Sequence, residues 1–326
     1  MTSESIGVVG LGLLGRGIAA CLLSRGFSVV AVARTAEEHA AATPVIEQML
    51  VELTAHEDAA FSNGDAATWQ SRLTHALTCE PLAGAAFVVE SVTEDLATKQ
   101  QVFDDLERVL APDAIIASNT SAIPISVLQQ TRKHPARFVG MHWAEPAHAT
   151  RFLEIIRGEA TSDETVARTE DLARRVGKDP TVCWKDISGF IVNRIGYAMY
   201  REALDLVDQG VADFETIDRS LRNTLGLWAA SCGPFRWIDL TGGPALYARA
   251  MQRVLPTLAA RPDVPAPIAR LAAEEARGIV NGRGFYDYTP ADVHTWEERQ
   301  RRHVWLVKNW LDQEFPIERD GGPASP

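Results

Sequence analysis

Three glycines near the amino terminus have the spacing of a phosphate-binding turn. Gly10, Gly12 and Gly15 form the pattern Gly-x-Gly-x-x-Gly, with Leu13 and Leu14 between the last two. In such a turn the first glycine permits a tight bend, the second lets the backbone approach a pyrophosphate, and the third allows close packing. A helix that begins there offers unpaired N–H groups and the positive end of its dipole to the phosphates. The pattern predicts that these five residues bind a dinucleotide.

The residues after the second predicted strand bear on which dinucleotide binds. An NAD site usually has Asp or Glu there, about 20 residues after the glycines, to accept hydrogen bonds from the ribose hydroxyls. This chain has Ala33, followed by Arg34 and Thr35. A guanidinium offers a fork of charge-assisted donors that suits a 2′-phosphate. We therefore expect an NAD(P) cofactor with a preference for NADP(H). The alternative is a solvated arginine beside NAD that is held through its pyrophosphate.

Alternating strands and helices must position these residues, and the first part of the chain predicts them. Apolar runs at 6–10 and 27–33 flank a helical pattern at 18–23, which predicts a βαβ unit. A long helix is expected at 36–58, and 65–77 is expected to continue as helix. The further predicted strands are 77–79, 87–90, 114–118, 137–143, 152–156 and 181–184, and the further predicted helices are 96–110 and 163–176. This alternation is typical of an α/β fold with a Rossmann-type sheet.

The pattern changes near residue 187, after which only helices are predicted. Ser188, Asp213 and Asp239 are candidate helix N-caps. Another helix is expected at 293–311, before a Gly/Pro/Ser-rich end that is expected to be disordered. The predicted domains are a Rossmann-type NAD(P)-binding domain with an inserted helical arm at 1–187 and an all-α domain with a C-terminal extension at 188–326.

Composition and charge exclude several classes of protein. The chain has 326 residues, which suggests about two domains. Hydrophobic residues make up 46% of the chain. Lys and Arg total 32 against 43 Asp and Glu, so the net charge of −11 disfavours nucleic acid or an anionic membrane as a partner. No apolar run approaches the roughly 18 residues that span a bilayer, and no secretory signal is evident, so we expect a cytoplasmic protein. Four scattered cysteines without a Cys-x-x-Cys pair indicate neither a metal site nor disulfides.

Five further stretches resemble the L-3-hydroxyacyl-CoA dehydrogenases. They are Val88–Lys99, Ser118–Ser121, Gly140–Pro146, Leu153–Gly158 and Ser188–Arg194. Their order and spacing extend the resemblance over nearly the whole chain. The resemblance implies an oxidoreductase that interconverts a secondary alcohol and a ketone by hydride transfer. It also implies that the helical domain contributes to substrate binding and forms the interface of a homodimer.

The same resemblance assigns roles to individual residues. His142 would be the catalytic base and Glu154, twelve positions later, its partner. Ser121 and Asn193 would hydrogen-bond to the reacting oxygen and to the substrate carbonyl. The residues expected to line the cofactor site are Glu94, Lys99 and Asn119. The chemistry agrees, because a histidine pKa of about 6.5 suits removal of a hydroxyl proton, and a carboxylate on the other ring nitrogen fixes the tautomer.

Structural alternatives exist for each of these assignments. His142 would then be a core histidine, Ser121 and Asn193 would cap a turn or helix, and Glu94 and Lys99 would be a solvated pair. A further alternative for the whole chain is a cofactor-binding protein without catalysis. A catalytic-lysine hydroxyacid dehydrogenase is excluded, because no lysine stands between Gly189 and Asn193.

Two departures from the family bear on the substrate. Between Arg34 and Arg72, where the acyl-CoA enzymes carry lysines for the CoA phosphates, this chain has no Lys or Arg and has seven acidic residues. Such an arm would repel the 3′-phospho-ADP group of CoA. In addition, the family's His-Phe-Phe-Asn-Pro is replaced by His142-Trp-Ala-Glu145-Pro, followed by His148 and Arg151.

Glu145, His148 and Arg151 are therefore candidate substrate-binding residues. Glu145 would add a negative charge beside the base, while His148 and Arg151 would hold a substrate carboxylate, unless they are a surface histidine and a snorkelling arginine. The arrangement is similar to the branch of the family that oxidises small aromatic acids without CoA. We expect a small hydroxy or oxo acid as the substrate; the alternative is a true L-3-hydroxyacyl-CoA dehydrogenase that acts on CoA thioesters.

Two features of the helical half point to contacts outside the family pattern. Arg236 and Trp237 follow a Gly-Pro-Phe stretch and are candidates for contact with the substrate or with a second subunit. The C-terminal extension carries Trp296, Trp305 and Trp310. Tryptophans at this density are expected to pack against the other subunit of a homodimer, with packing inside the chain as an equal alternative.

Overall fold

The computed structural model describes residues 4–56 and 68–317. They fall into two compact units, of which the first extends to Asn193 and includes the chain from Phe315, while the second is Arg194–Glu314. The sheet lies in the first unit. Its strands are β1 Ser5–Val9, β2 Ser28–Val32, β3 Leu73–Ala76, β4 Phe87–Glu90, β5 Ile115–Ser118, β6 Phe138–Trp143, β7 Phe152–Ile156 and β8 Asp179–Cys183.

The eight strands form one sheet in the order β3-β2-β1-β4-β5-β6-β7-β8. Strands β1 to β6 pair in parallel, β7 runs antiparallel to β6, and β8 is parallel to β7. The order reverses at β1, which lies between β2 and β4. In sheets of this kind the ligand binds outside the carboxyl ends of the strands at this switch point.

Helices connect the strands and make up most of the second unit. Those that begin before residue 190 are α1 Leu13–Ser24, α2 Ala36–His56, α3 Trp69–Arg72, α4 Leu96–Val109, α5 Ile125–Gln129 and α6 Asp163–Arg175. Those that follow are α7 Val192–Asp208, α8 Phe214–Asn223, α9 Leu225–Trp228, α10 Gly233–Leu240, α11 Gly243–Val254, α12 Ala266–Ala273 and α13 Pro290–Glu314.

Apolar burial on both faces explains the central strands. Every residue of β4, β5 and β6 is buried, as expected for parallel strands covered on both sides. The core beside them includes Phe103 from α4 and Phe138 from β6, whose rings meet edge to face at 5.3 Å. Side-chain caps begin the flanking helices, since Asp95 accepts from Thr98 N in α4 and Ser162 accepts from Thr165 N in α6.

The predicted α/β fold with a helical second half is confirmed. Strands 87–90 and 152–156 have the predicted bounds. The prediction that 65–77 is a helix is wrong, because among its described residues only Trp69–Arg72 is helical and Leu73–Ala76 is a strand. The predicted strand at 77–79 is also wrong, because these residues are not in a strand. Strand β3 exists because it pairs in parallel with β2 at the edge of the sheet, and this long-range pairing overrides the local helical pattern.

Of the three candidate caps, one is confirmed. Asp213 accepts from Thr216 N at 2.8 Å at the start of α8. Ser188 lies in a turn before α7 and donates to the carbonyl of Ala122, and Asp239 lies inside α10. The predicted disordered end, 318–326, and the predicted helical residues 57–58 and 65–67 lie outside the described residues.

In the described ranges, none of the helices combines the length and the apolar character that a membrane span requires.

Candidate active site

His142 and Glu154 face each other across the antiparallel pair β6 and β7. Their Cα atoms are register partners, and His142 Nδ1 lies 3.0 Å from Glu154 Oε2. Both residues are buried, with 4% and 1% of their surface exposed. Because a carboxylate oxygen accepts, this contact assigns the hydrogen to Nδ1 and leaves the lone pair on Nε2. Phe152 and Phe190 contact the imidazole edge-on, at centroid distances of 5.6 and 5.7 Å.

The second oxygen of Glu154 is held by the start of a helix. Its Oε1 accepts from Ile191 N at 3.1 Å and Val192 N at 2.9 Å, where α7 begins. Phe190 just before them has a φ of 52°, in the left-handed region that non-glycine residues rarely adopt. The first N–H groups of a helix have no partner within the helix. Glu154 therefore satisfies two of these donors and is itself fixed in orientation at both oxygens.

Ser121 and Asn193 meet beside this pair. Asn193 Nδ2 donates to the backbone carbonyl of Ser121 at 3.0 Å. Asn193 directly follows Val192, whose amide contacts Glu154. The four residues predicted to be catalytic are thus linked by a short series of contacts, from Ser121 through Asn193 and the start of α7 to Glu154 and His142.

Glu94 organises the turn that carries Ser121. Its Oε1 accepts from the Thr120 hydroxyl at 2.6 Å and from the amides of Ser121 and Ala122, each at 2.9 Å. Partial burial raises the pKa of the Glu94 carboxyl, but these hydrogen bonds and the charge of Lys99 outweigh it, so the net shift is downward. Glu94 is therefore an anionic clamp on residues 120–122.

Lys99 lies beneath this turn without any exposed surface. Its Nζ donates to both oxygens of Glu90, at 2.8 and 3.1 Å, and lies 3.5 Å from Glu94 Oε2. Glu90 is also fully buried and accepts from Ser118 Oγ at 2.6 Å. The expected alternative of a solvated Glu94–Lys99 pair does not hold for Lys99. In this position Lys99 acts on a ligand only through the carboxylates that it holds.

Asn119 ties three strand ends together. Its Nδ2 donates to Ser91 Oγ at 3.0 Å, and its Oδ1 accepts from Trp143 N at 3.0 Å. The backbone N–H of Asn119 donates to the backbone carbonyl of Glu90 at 2.7 Å. Asn119 thereby connects the carboxyl ends of β4 and β5 to the strand that carries His142.

The glycine turn has the geometry that a dinucleotide requires. Gly10 has a φ of +94°, and a Cβ there would lie 2.5 Å from the carbonyl oxygen of Ser91. A Cβ at Gly15 would lie 1.9 Å from the carbonyl oxygen of Gly10, whereas one at Gly12 would meet nothing within 4 Å. Gly12 is the N-cap of α1, whose start has neither a side-chain cap nor an acidic residue in its first turn. Open space in front of unpaired helix amides fits a pyrophosphate.

Leu13 and Leu14 form the first turn of α1, and Leu13 is exposed.

Arg34 is engaged by an acidic side chain that the sequence patterns did not single out. Its Nε lies 2.9 Å and its Nη2 2.5 Å from Glu38 Oε1, and its backbone N–H donates to Glu38 Oε2 at 3.0 Å. Thr35 accepts from the Glu38 amide at 3.2 Å, which resembles a capping box at the start of α2. An acid from the first turn of α2 thus contacts the residue that follows Ala33.

His148 and Arg151 are placed differently from the expectation. His148 Nε2 lies 3.0 Å from Glu52 Oε2 on α2, and Arg151 Nη2 lies 2.9 Å from Asp179 Oδ2 at the start of β8. Both residues are buried, so His148 is not a surface histidine and Arg151 is not a snorkelling arginine. Each side chain already contacts a carboxylate of the chain, and these contacts hold residues 144–151, the β6–β7 loop, in place.

A buried lysine fixes the same loop. Lys178 Nζ donates to the carbonyls of Ala147 and Thr150 and lies 5.1 Å from the ring centroid of Trp143. From α1, Cys21 Sγ donates to Ala147 O at 3.5 Å. The loop after the histidine strand is therefore anchored from two sides.

Glu145 is the exposed acid of the β6–β7 loop. Desolvation raises the pKa of its carboxyl, against the amide of Ala147 and the charge of Arg16, which lower it. Arg16 lies on α1, one residue after Gly15, so this charge belongs to the helix that begins at the glycine turn.

Both halves of the chain match family models. Residues 5–187 match the model described as 3-hydroxyacyl-CoA dehydrogenase, NAD binding domain, and residues 189–288 match its C-terminal domain. The chain belongs to the 3-hydroxyacyl-CoA dehydrogenase family. It is an oxidoreductase of this family with an NAD-binding first domain.

Relatives within the 3-hydroxyacyl-CoA dehydrogenase family differ in their substrates. The chain is 34% identical over 311 residues to 5-formyl-3-hydroxy-2-methylpyridine 4-carboxylate 5-dehydrogenase of Mesorhizobium japonicum, with 95% of this chain and 98% of that protein covered. It is also 34% identical to a probable 3-hydroxybutyryl-CoA dehydrogenase of Deinococcus radiodurans, with 86% and 99% covered.

The solved structures give the same contrast. A crystal structure of 5-formyl-3-hydroxy-2-methylpyridine 4-carboxylic acid 5-dehydrogenase, described as an NAD⁺-dependent dismutase, has a TM-score of 0.88 at 32% identity, with 95% of this chain and 99% of that chain covered. The (S)-3-hydroxybutyryl-CoA dehydrogenase of Ralstonia eutropha has a TM-score of 0.72 at 30% identity, with 88% and 100% covered.

The sequence patterns missed several residues of this site. Glu38, Glu90, Phe190 and Lys178 were not assigned roles, although each lies in a contact described above. One signal was present for Glu90, which is the single charged residue at the end of the apolar run Phe-Val-Val-Glu, nine positions before Lys99. The other three depend on contacts that only the fold reveals.

Two glycine substitutions separate cofactor binding from folding. We expect Gly12→Ala to fold like the parent protein, because its φ of −67° suits alanine and its Cβ meets no atom. The added methyl group occupies the space in front of the α1 amides, so the affinity for NADH should fall about tenfold or more. Gly15→Ala should instead lose about 1–3 kcal/mol of unfolding free energy through overpacking. Fluorescence titration with NADH and urea denaturation measure the two effects, and equal NADH affinity in Gly12→Ala would contradict the assignment of the turn.

Proposed function

We propose that the protein oxidises a secondary alcohol of a small hydroxy acid, or reduces the corresponding oxo acid, with His142 as the catalytic base. The observation that supports this most directly is the buried His142–Glu154 pair, in which both carboxylate oxygens are held and Nε2 keeps its lone pair. A histidine that served only the core would not need a carboxylate fixed on one side and a lone pair kept on the other.

The proton transfer follows from this geometry. In the oxidation, His142 Nε2 accepts the hydroxyl proton of the substrate, and Glu154 stabilises the imidazolium that results. In the reduction the same proton returns to the ketone oxygen. Bound NAD⁺ supplies the hydride acceptor for the oxidation. Ser121 and Asn193, which contact each other, are proposed to donate hydrogen bonds to the reacting oxygen and to the substrate carbonyl.

Substitution of the pair tests the proposed chemistry. We expect His142→Ala to lower kcat by about 10²- to 10⁴-fold, the range of general-base catalysis, while the affinity for NADH stays near that of the parent protein. Glu154→Gln should also lower kcat strongly, because an amide cannot stabilise the imidazolium as a carboxylate does. His134→Ala, an exposed histidine that precedes β6, is the matched control and should keep full activity. Full turnover by a folded His142→Ala protein would contradict the base assignment.

A small acid, rather than a CoA thioester, is the proposed substrate class. Helix α2 occupies the start of the arm and presents Glu37 and Glu47 to solvent, and the sequence between Arg34 and Arg72 has no cation for the phosphates of CoA. The pyridine-carboxylate relative also covers more of this chain than the hydroxybutyryl-CoA relatives do. The second candidate, a true 3-hydroxyacyl-CoA dehydrogenase, is favoured by those CoA-dependent relatives.

A substrate panel distinguishes these two candidates. We expect measurable turnover with free aromatic or aliphatic hydroxy acids and a kcat/KM for acetoacetyl-CoA at least about tenfold lower, because the acidic arm repels the nucleotide of CoA. The rate of NADH formation or consumption at 340 nm serves for every compound in the panel. Saturation by acetoacetyl-CoA with rapid turnover would instead establish the second candidate.

The second unit is proposed to bind a second copy of the chain. Helices α8, α9, α10 and α11 contain no buried residue, and large apolar side chains are exposed there, with Phe235 83% and Leu227 75% exposed. Monomeric proteins rarely leave such surface in water. In the C-terminal extension, Trp305 is buried within the chain, whereas Trp296 is 48% exposed. Trp305 therefore packs inside its own chain. Trp296, Arg236 and Trp237 are the candidates for contact with the second copy.

The oligomeric state is directly measurable. We expect light scattering to give about twice the chain mass of 35.6 kDa, and Phe235→Asp to shift the protein towards the monomer. The exposed Glu47→Gln on α2 is a control that should leave the mass unchanged. A parent protein that is monomeric at micromolar concentration would contradict the homodimer.

The sequence also predicts that the protein prefers NADP(H) to NAD(H). This preference depends on whether Arg34 is available to a 2′-phosphate, and Arg34 is held by Glu38.

A further inference from the structure

Two oppositely charged side chains follow β2, at the strand end that in Rossmann-type sheets lies beside the adenosine ribose. Arg34 is 87% exposed at its side chain, and Glu38 is 34% exposed. Glu38 Oε1 accepts from two guanidinium nitrogens, and Oε2 accepts from the Arg34 amide. The carboxylate thus contacts both the side chain and the backbone of the residue that would meet a 2′-phosphate.

The ion pair alone would change cofactor choice little. Exposed pairs of this kind shift an equilibrium by no more than about fivefold, so a 2′-phosphate of NADP could draw Arg34 away from Glu38 at small cost. For the choice between NAD and NADP, the fixed position of the Glu38 carboxylate matters more than the strength of its ion pair with Arg34. Glu38 lies in the first turn of α2, its amide donates to Thr35, and its Oε2 receives the Arg34 backbone N–H. Movement of the guanidinium would therefore leave the negative charge where it is.

The ionisation of Glu38 is consistent with this arrangement. The hydrogen bonds from the Arg34 side chain and backbone hold the pKa of the Glu38 carboxyl below its ordinary value, against a smaller effect of burial. A carboxylate is therefore present throughout the neutral range. It repels a phosphate that carries about two negative charges, whereas it accepts hydrogen bonds from ribose hydroxyls.

We propose that Glu38 is the residue that selects NAD over NADP in this protein, in place of the acid that is missing at Ala33. Arg34 then serves as the partner that orients Glu38 rather than as a phosphate ligand. This inference reverses the preference that Arg34 alone suggests. It rests on dinucleotide binding at the glycine turn, but it does not depend on the identity of the substrate or of the catalytic base.

Binding of reduced cofactors to the apoprotein tests the proposal without any substrate. Fluorescence titration gives the dissociation constants of NADH and NADPH, and their ratio is the quantity to compare. The parent protein should bind NADH at least tenfold more tightly than NADPH. Glu38→Gln, which keeps a side chain suited to the capping box, should shift the ratio at least tenfold towards NADPH, because Arg34 is released and the repulsion is removed.

Matched variants locate the effect. Glu37→Gln removes the same charge one residue earlier, from an exposed carboxylate whose pKa is lowered by its own amide and by Thr35, and should leave the ratio within about threefold of the parent value. In Arg34→Ala/Glu38→Gln the gain in NADPH affinity should be lost. Thermal unfolding of every variant confirms that the fold is retained.

Each other outcome overturns the inference. Tighter binding of NADPH than NADH by the parent protein would assign Arg34 as the selecting residue. An equal shift in Glu37→Gln and Glu38→Gln would show a general charge effect. Binding of neither cofactor by any variant would contradict dinucleotide binding itself, whereas normal NADH binding with an unchanged ratio in Glu38→Gln would contradict only the role of Glu38.

Discussion

The site depends on one buried carboxylate that has two different kinds of partner. Glu154 receives the imidazole of His142 at one oxygen and two backbone N–H groups from the start of α7 at the other. An isolated carboxylate with 1% exposure would be very costly to bury. Here the cost is offset because the helix start needs acceptors and the imidazole needs an orienting partner. The Glu154 side chain thus connects strand β6, which carries His142, to the start of α7. Helix α7 also carries Asn193, which contacts Ser121.

The cofactor edge depends on a second buried ionic group. Lys99 contacts Glu90 inside the core and Glu94 at its margin, and Glu94 in turn accepts from the hydroxyl and amides of residues 120–122. Removal of one partner from such a group is costly, since an unpaired charge remains buried. The turn that carries Ser121 is therefore held by a carboxylate that itself contacts the buried Lys99.

The fold was predictable from local patterns, and the His142–Glu154 pair was implied by the family resemblance. The features that neither predicted depend on contacts between residues that lie far apart in the chain. The glycine spacing and the apolar runs of β4 to β7 each follow from a short stretch of sequence. The strand at 73–76 did not, because a four-residue edge strand exists only through its pairing with β2. The carboxylates that contact His148 and Arg151, Glu52 and Asp179, were also not predictable, since they are 96 and 28 residues away in the chain.

Arg34 shows why a residue type alone does not decide which dinucleotide a strand end favours. Residue type predicts that a guanidinium at the end of β2 favours a phosphate. Its chemistry, however, is set by the nearest opposite charge, and Glu38 occupies that place one helical turn further on. Glu38 lies in the first turn of α2, directly after the bend that carries Arg34, so this partner was visible in principle as an acid four residues after the arginine. Cofactor preference is therefore better interpreted from the strand end together with the first turn of the following helix, where hydrogen bonds to the backbone hold a charged side chain in a fixed position.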